Sequence, residues 1–194
     1  MKIFIAGATG VLGRRLIQQF EGRGHSVLGL VRTVHGEQIV QALRGEPRRA
    51  DLFNPDALAG VADGADVVIH AATAIPVKPR LTPSDWEMND RIRRDGTRAL
   101  TTCAGKIGAK SYIQQSIVWV ARPPDGSPFD EDSPPNPDPV TSSALDGEII
   151  ASEVGERFNF PISVLRCGWF YGADAAHTKL FGESLARRRL PIIG

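Results

Sequence analysis

Three glycines spaced three apart, in Gly7-Ala8-Thr9-Gly10-Val11-Leu12-Gly13, form the pattern in this chain that most directly implies chemistry. They follow the apolar run Lys2-Ile3-Phe4-Ile5-Ala6 and precede Val11, Leu12, Leu16, Ile17 and Phe20 at three-to-four spacing, so they fill a strand-to-helix turn. At such a turn the missing Cβ atoms let the backbone approach a pyrophosphate, while the helix N-terminus offers free N–H groups and a positive dipole end. A second apolar run, Ser26-Val27-Leu28-Gly29-Leu30-Val31, closes a βαβ unit near Arg32, which is the context a dinucleotide site requires. Other chemistries find less support. Cys103 and Cys167 lie far apart without a CxxC, and His25, His35, His70 and His177 are scattered, so no zinc ligand set is spelled out. Neither a nucleophile elbow nor a basic stripe is present, which argues against a hydrolase or a nucleic-acid binder.

The elements that would hold this loop alternate along the chain. A weaker helix carries Ile39, Val40 and Leu43, a short one starts at Asn54-Pro55-Asp56 and runs to about Ala62, and Asp66-Val67-Val68-Ile69-His70-Ala71-Ala72 reads as a strand. From Ser84 a helical pattern runs to about Gly108 with Met88, Ile92, Leu100, Cys103 and Ile107 on one stripe. Ser111–Ser116 reads as the next strand, with Ile117 to Val120 as its exit. Residues 142–158 read as a helix, 161–167 as a strand, 175–189 as a last helix, and Pro191–Gly194 as an apolar strand-like end. The alternation predicts an α/β protein with a doubly wound parallel sheet, the Rossmann fold. Residues 123–139 hold seven prolines, so the stretch 121–141 cannot supply sheet donors and is expected to be a loop or lid, with a domain boundary as the other reading.

With 194 residues, a single main domain spanning 1–194 is expected. A net charge of +1 provides no field to hold nucleic acid or an anionic membrane, leaving a small-molecule substrate, with a homo-oligomer possible. No run of 18 apolar residues occurs, and the N-terminus enters a strand pattern at Lys2, so a cytoplasmic protein with reduced thiols is expected.

The GxxGxxG spacing resembles the short-chain dehydrogenase/reductase superfamily, specifically its extended or atypical branch of NAD-dependent epimerase/dehydratase-like proteins. Further matches follow in order along nearly the whole chain: Asp51-Leu52, His70-Ala71-Ala72, Asp95-Gly96-Thr97 and Leu165-Arg166-Cys167-Gly168-Trp169-Phe170-Tyr171-Gly172. The resemblance implies that Gly7, Thr9, Gly10, Val11, Leu12 and Gly13 hold a dinucleotide pyrophosphate and that Asp51 and Leu52 contact its adenine. It also implies that Ala71 and Ala72 line its ribose and that Cys167, Gly168 and Trp169 lie beside the nicotinamide. At the end of the second strand, where an acidic residue would hydrogen-bond the ribose 2′-hydroxyl, stands Arg32; its guanidinium suits a 2′-phosphate, and Thr33 adds a hydroxyl. NADP(H) is therefore expected over NAD(H), which remains possible.

The same resemblance implies a Ser or Thr that hydrogen-bonds the substrate oxygen, a Tyr that transfers the proton and a Lys four residues later. Ser116 matches the serine, but Ser143-Ala144-Leu145-Asp146-Gly147-Glu148-Ile149 contains neither Tyr nor Lys; Ala144 and Glu148, or in the neighbouring register Leu145 and Ile149, take their places. Arg93 stands where an asparagine is frequent, Glu148 is expected on the helix surface unless buried as an acid or base, and Tyr171 is expected to pack. Extended members continue into a smaller C-terminal substrate domain, which is expected to be truncated or absent here, with about 175–194 as its start. The implied activity is that of an oxidoreductase or epimerase on a carbonyl or hydroxyl group, the alternative being a non-catalytic NADP(H)-binding regulatory or redox-sensing protein.

Overall fold

The computed structural model describes residues 1–78 and 80–189, so the strand-like end expected at Pro191–Gly194 lies outside the described residues. Elements follow in the order β1 (Lys2–Ala6), α1 (Val11–Glu21), β2 (Ser26–Val31), α2 (Val34–Ala42), β3 (Glu46–Arg49), α3 (Pro55–Val61) and β4 (Val67–His70). The second half contains α4 (Glu87–Arg91), α5 (Thr97–Lys106), β5 (Ser111–Ile117), α6 (Ser142–Phe158), β6 (Ile162–Cys167) and α7 (Ala176–Ala186). Six parallel strands lie in the order β3-β2-β1-β4-β5-β6, a doubly wound α/β sheet of the Rossmann type as expected.

The unbroken apolar runs of β1 and β2 have the reason expected of parallel strands, since helices cover both faces. Phe4, Leu28, Val68 and Tyr112 point to one side, against Leu58 of α3, Leu100 and Cys103 of α5 and Ala151 of α6. Ile3, Ile5, Val27 and Ile69 point to the other, against Ile17 of α1 and Val40 of α2. The short β3 went unrecognised because Pro47 and three charged residues mask it; at the sheet edge, proline and charge are tolerated. At the start of α3, Asn54 Oδ1 accepts from the N–H groups of Asp56 at 3.1 Å and Ala57 at 3.0 Å, with Pro55 at the first helical position.

One expected stripe is corrected. The long helical stretch opens with a 3₁₀ turn at Pro83–Trp86 and contains a π turn at Ile92–Gly96 between α4 and α5. Met88 is 45% exposed, off the stripe of Ile92, Leu100 and Cys103, whereas its neighbour Asn89, three residues before Ile92 and so on the same face, is fully buried. Beyond β5 the chain makes a 3₁₀ turn, Val118–Ala121, and residues 123–139 form neither helix nor strand before α6 rejoins the sheet through β6. No helix among the described residues is long and apolar enough to cross a membrane.

Candidate active site

Where the chain order reverses, between β1 and β4, the carboxyl ends of the strands open onto the glycine loop, the usual position for a ligand in such a sheet. Two of the three glycines serve the chain itself. Gly7 has φ of +87°, and a Cβ there would lie 2.5 Å from the Ala72 nitrogen; a Cβ at Gly13 would lie 2.8 Å from the Ala8 Cα and collide with the Gly7 carbonyl oxygen. Gly10 is different. It stands at the N-cap of α1, and a Cβ there would meet only the Gly7 carbonyl oxygen, at a tight 3.2 Å, so its missing side chain leaves open a cradle bounded by that one oxygen. No side chain caps α1, and its first turn, with Val11, Leu12 and Gly13, carries no acidic residue, so its leading N–H groups are available to an anion. The Thr9 carbonyl accepts from Arg14 Nη1 at 2.8 Å, which fixes the loop from below. These residues fit a dinucleotide pyrophosphate.

The neighbouring positions gather at the same end of the sheet. Arg32 is exposed at the end of β2, and Thr33 caps α2, its Oγ1 accepting from the Gly36 N–H at 3.1 Å. Asp51 is exposed, with Oδ1 accepting from the Phe53 N–H at 3.0 Å, while Leu52 is buried against Gly96. Ala71 and Ala72 are half-buried beside Gly7. His70 supports them from the core: Nδ1 accepts from the Ala72 N–H at 3.3 Å, so Nε2 carries the proton, donated to the Ile92 carbonyl at 3.3 Å. Burial pushes the His70 pKa down to about 4, which keeps this tautomer neutral. Asn89 Oδ1 accepts from the Ala74 N–H at 3.1 Å, holding the chain beyond β4.

On the adjacent strands β5 and β6, Ser116 pairs in register with Arg166, and both face α6. Glu148 comes down from that helix between them. The Ser116 hydroxyl donates to Glu148 Oε1, and Arg166 grips the carboxylate with Nη2 to Oε2 at 2.8 Å and Nε to Oε1 at 3.1 Å. Glu148 is 7% exposed and Ser116 3%, so the expectation of a helix-surface glutamate is overturned. The cause is the arginine, which compensates a charge that burial alone would not allow. The contact with Glu148 in turn raises the Arg166 pKa. The inward-facing pair on α6 is Ala144 and Glu148, since Leu145 is only half-buried and Ile149 is exposed.

Tyr171 also departs from expectation: it is 82% exposed and packs on nothing, because the chain has left β6 and turned outward. Gly168 is exposed, and Trp169 stacks edge-on against Trp119 at 6.1 Å and His177 at 5.2 Å between ring centroids. Arg93 is buried, its Nη1 donating to the Val140 carbonyl at 3.2 Å and to Ser143 Oγ at 3.4 Å, and that burial lowers its pKa. Beside the Glu148 and Arg166 pair lies a cavity of about 720 Å³, lined also by Val164, Cys167, Phe129 and Glu131, the last two from the proline-rich segment. Among the described residues no cluster of three His, Cys, Asp or Glu is placed to hold a metal.

The functional residue that the sequence reading passed over is Arg166, although a signal was there. It is a charge inside an apolar strand, at the parity of Ile162 and Val164, and such a residue needs a partner across the layer. Asn89 was hidden because a polar residue is not expected on a buried stripe, although it stands three residues before Ile92 on the same face.

Comparison with known proteins agrees with this geometry. Residues 3–189 match the NAD dependent epimerase/dehydratase family. A 3-diazoavenalumate denitrifying reductase from a Streptomyces species is 28% identical over 95% of this chain and 61% of its own length. A 4-hydroxy-2-methyl-3-oxo-4-farnesyl-3,4-dihydroquinoline-1-oxide ketoreductase from Stigmatella aurantiaca is 40% identical over 66% of this chain and 36% of its own. The crystal structure of UDP-glucuronic acid 4-epimerase from Bacillus cereus in complex with NAD superimposes with a TM-score of 0.72 and 26% identity, covering 89% of this chain and 58% of that one. The chain thus spans less than two thirds of the length of these relatives. A glycine cradle at the switch of a parallel sheet, a serine at the end of β5 and a match over nearly every described residue lead to one conclusion: the chain belongs to the NAD-dependent epimerase/dehydratase family.

Proposed function

We propose that this protein binds NADP(H) and acts as an oxidoreductase or epimerase-type enzyme on a carbonyl or hydroxyl group of a small molecule, with an active site that lacks the Tyr-x-x-x-Lys pair. The observation that carries the reading is the cradle above Gly10, open where the packing would admit a side chain, at the uncapped start of α1. Val11, Leu12 and Gly13 would donate backbone N–H groups to the pyrophosphate, Ala71 and Ala72 would flank the ribose, Asp51 and Leu52 the adenine, and Cys167 to Trp169 the nicotinamide. The bound dinucleotide supplies a hydride donor or acceptor. Ser116 orients the substrate oxygen, and the proline-rich segment 121–141 serves as a lid through Phe129 and Glu131.

Arg32 supports a preference for NADP(H), because an exposed guanidinium at the end of β2 is free to pair with a 2′-phosphate. A second reading, a non-catalytic NADP(H)-binding protein that reports redox state, is favoured by the absence of a phenol at Ala144 and the outward turn of Tyr171. Calorimetric titration with NADPH and NADH, alongside a turnover panel of aldehydes, ketones and nucleotide sugars, separates them. Arg32→Ala is expected to cost NADPH about 10- to 100-fold in affinity and NADH very little, since a charge-assisted hydrogen bond contributes roughly 1.5–3 kcal/mol. Equal losses for both cofactors would make Arg32 structural, and NADPH binding without any turnover would hand the lead to the second reading.

A further inference from the structure

Ser116 has one hydroxyl proton, and that proton is already given to Glu148. What its oxygen still offers are lone pairs, which accept from a donor and cannot polarise a carbonyl. The carboxylate beneath is held on both oxygens by Arg166, which is itself only partly exposed, so the acceptor is fixed in position. From this geometry we propose that Ser116, Glu148 and Arg166 form a proton relay that takes the place of the missing tyrosine and lysine and is set to receive the proton of a substrate alcohol.

The proposal rests on the reading above, since it needs the dinucleotide as oxidant. The substrate hydroxyl donates to Ser116 Oγ. As its O–H bond breaks, the proton passes to Ser116 while Ser116 passes its own to Glu148. When bound, the oxidised dinucleotide would supply the oxidant, a hydride acceptor for the carbinol carbon, so that loss of the proton and of the hydride together would turn the alcohol into a carbonyl. In the reverse direction a protonated Glu148 returns the proton through Ser116. Ser116 is the catalytic residue of this arrangement. Glu148 and Arg166 are positioning residues that act through it, Arg166 fixing the orientation of the carboxylate.

Groups acting in series give a distinctive signature. If Ser116 and Glu148 belong to one path, removing both costs no more than removing the more important one, whereas independent roles add. Wild type, Ser116→Ala, Glu148→Gln and the double variant are assayed with NADP+ on benzyl alcohol, 2-heptanol and UDP-glucose, and with NADPH on benzaldehyde and 2-heptanone. Each single variant is expected to lose about 100-fold or more in kcat, within the range that positioned proton transfer contributes, and the double variant to lose no more than the worse single. A second readout needs neither substrate nor cofactor. In protein labelled with ¹³C at the glutamate carboxyls, the Glu148 resonance, identified by its loss in Glu148→Gln, is expected to move in Ser116→Ala and in Arg166→Met.

An unmoved resonance in Ser116→Ala overturns the relay, as do additive losses or a Glu148→Gln variant within about three-fold of wild type. A protein that binds NADPH by calorimetry but turns over none of these compounds overturns the relay while leaving the dinucleotide site standing. A protein that binds neither NADPH nor NADH overturns the function proposed above instead.

Discussion

The neutral histidine at the end of β4 makes stability sensitive to acid. His70 is fully buried with a pKa of about 4, against an ordinary value of 6.5. The unfolded chain therefore binds a proton at higher pH than the folded one, and stability is complete above 6.5, is lost as pH falls through the interval and is fully lost below about 4. For these two values the contribution lost between pH 7.5 and 4.5 is about 2–3 kcal/mol, a large fraction of a domain's stability. Carboxylates titrate over the same range, so the variant His70→Gln, which offers an amide in place of the imidazole and cannot titrate, isolates the histidine's part. Urea unfolding at the two pH values is expected to show wild type losing about 2–3 kcal/mol more than His70→Gln. Protonation also makes Nδ1 a donor facing the Ala72 N–H, so NADPH affinity is expected to fall in wild type together with stability. Equal losses in the two proteins would refute the reasoning, because His70 would then titrate alike in the folded and unfolded chains.

Other perturbations separate ligand from packing. Gly10→Val is expected to abolish NADPH binding in a calorimetric titration while leaving thermal unfolding near wild type, since only the Gly7 carbonyl is close to its Cβ. Gly7→Ala is expected to fail in the opposite order, destabilising the fold by about 1–3 kcal/mol or more through backbone collision at Ala71 and Ala72 and strain at positive φ, as read from urea midpoints. Asn54→Ala is expected to cost about 1 kcal/mol in chemical unfolding, with NADPH affinity unchanged, because it removes only the cap of α3.

How far the sequence spoke for the structure depends on whether a feature is local. The glycine loop, the apolar strands and the start of α3 at Asn54-Pro55 are legible because backbone sterics and capping act within a few residues. The carboxylate at Glu148 and the guanidinium at Arg166 are 18 residues apart on different elements, and only the β5–β6 register places Ser116 next to the arginine. Read alone, a glutamate on a helix belongs outside; its burial depends on a partner that no periodicity announces. Asn89 and Met88 exchanged roles for a related reason: both lie within one turn of Ile92, and the apolar residue was assigned to the core although the polar one, bonded to the Ala74 N–H, is the buried one. Tyr171 was misjudged because an aromatic side chain next to a strand suggests packing, whereas the chain there has already left the sheet.

The proline-rich segment 123–139 divides the chain into two pieces of unequal length, and neither piece is self-sufficient. The first ends with β5, whose outer edge is open without β6, and the second begins with α6, whose buried face is covered by residues of the first. Asp174 in the second piece bridges Arg14 and Arg15 in the first, both at 2.7 Å, across about 160 positions of sequence. Continuity of the peptide through the prolines is therefore not what holds the molecule together. A protease nick in that segment is therefore expected to leave a sheet whose two halves stay interlocked, and the two fragments, expressed as separate chains, are expected to reassemble on each other.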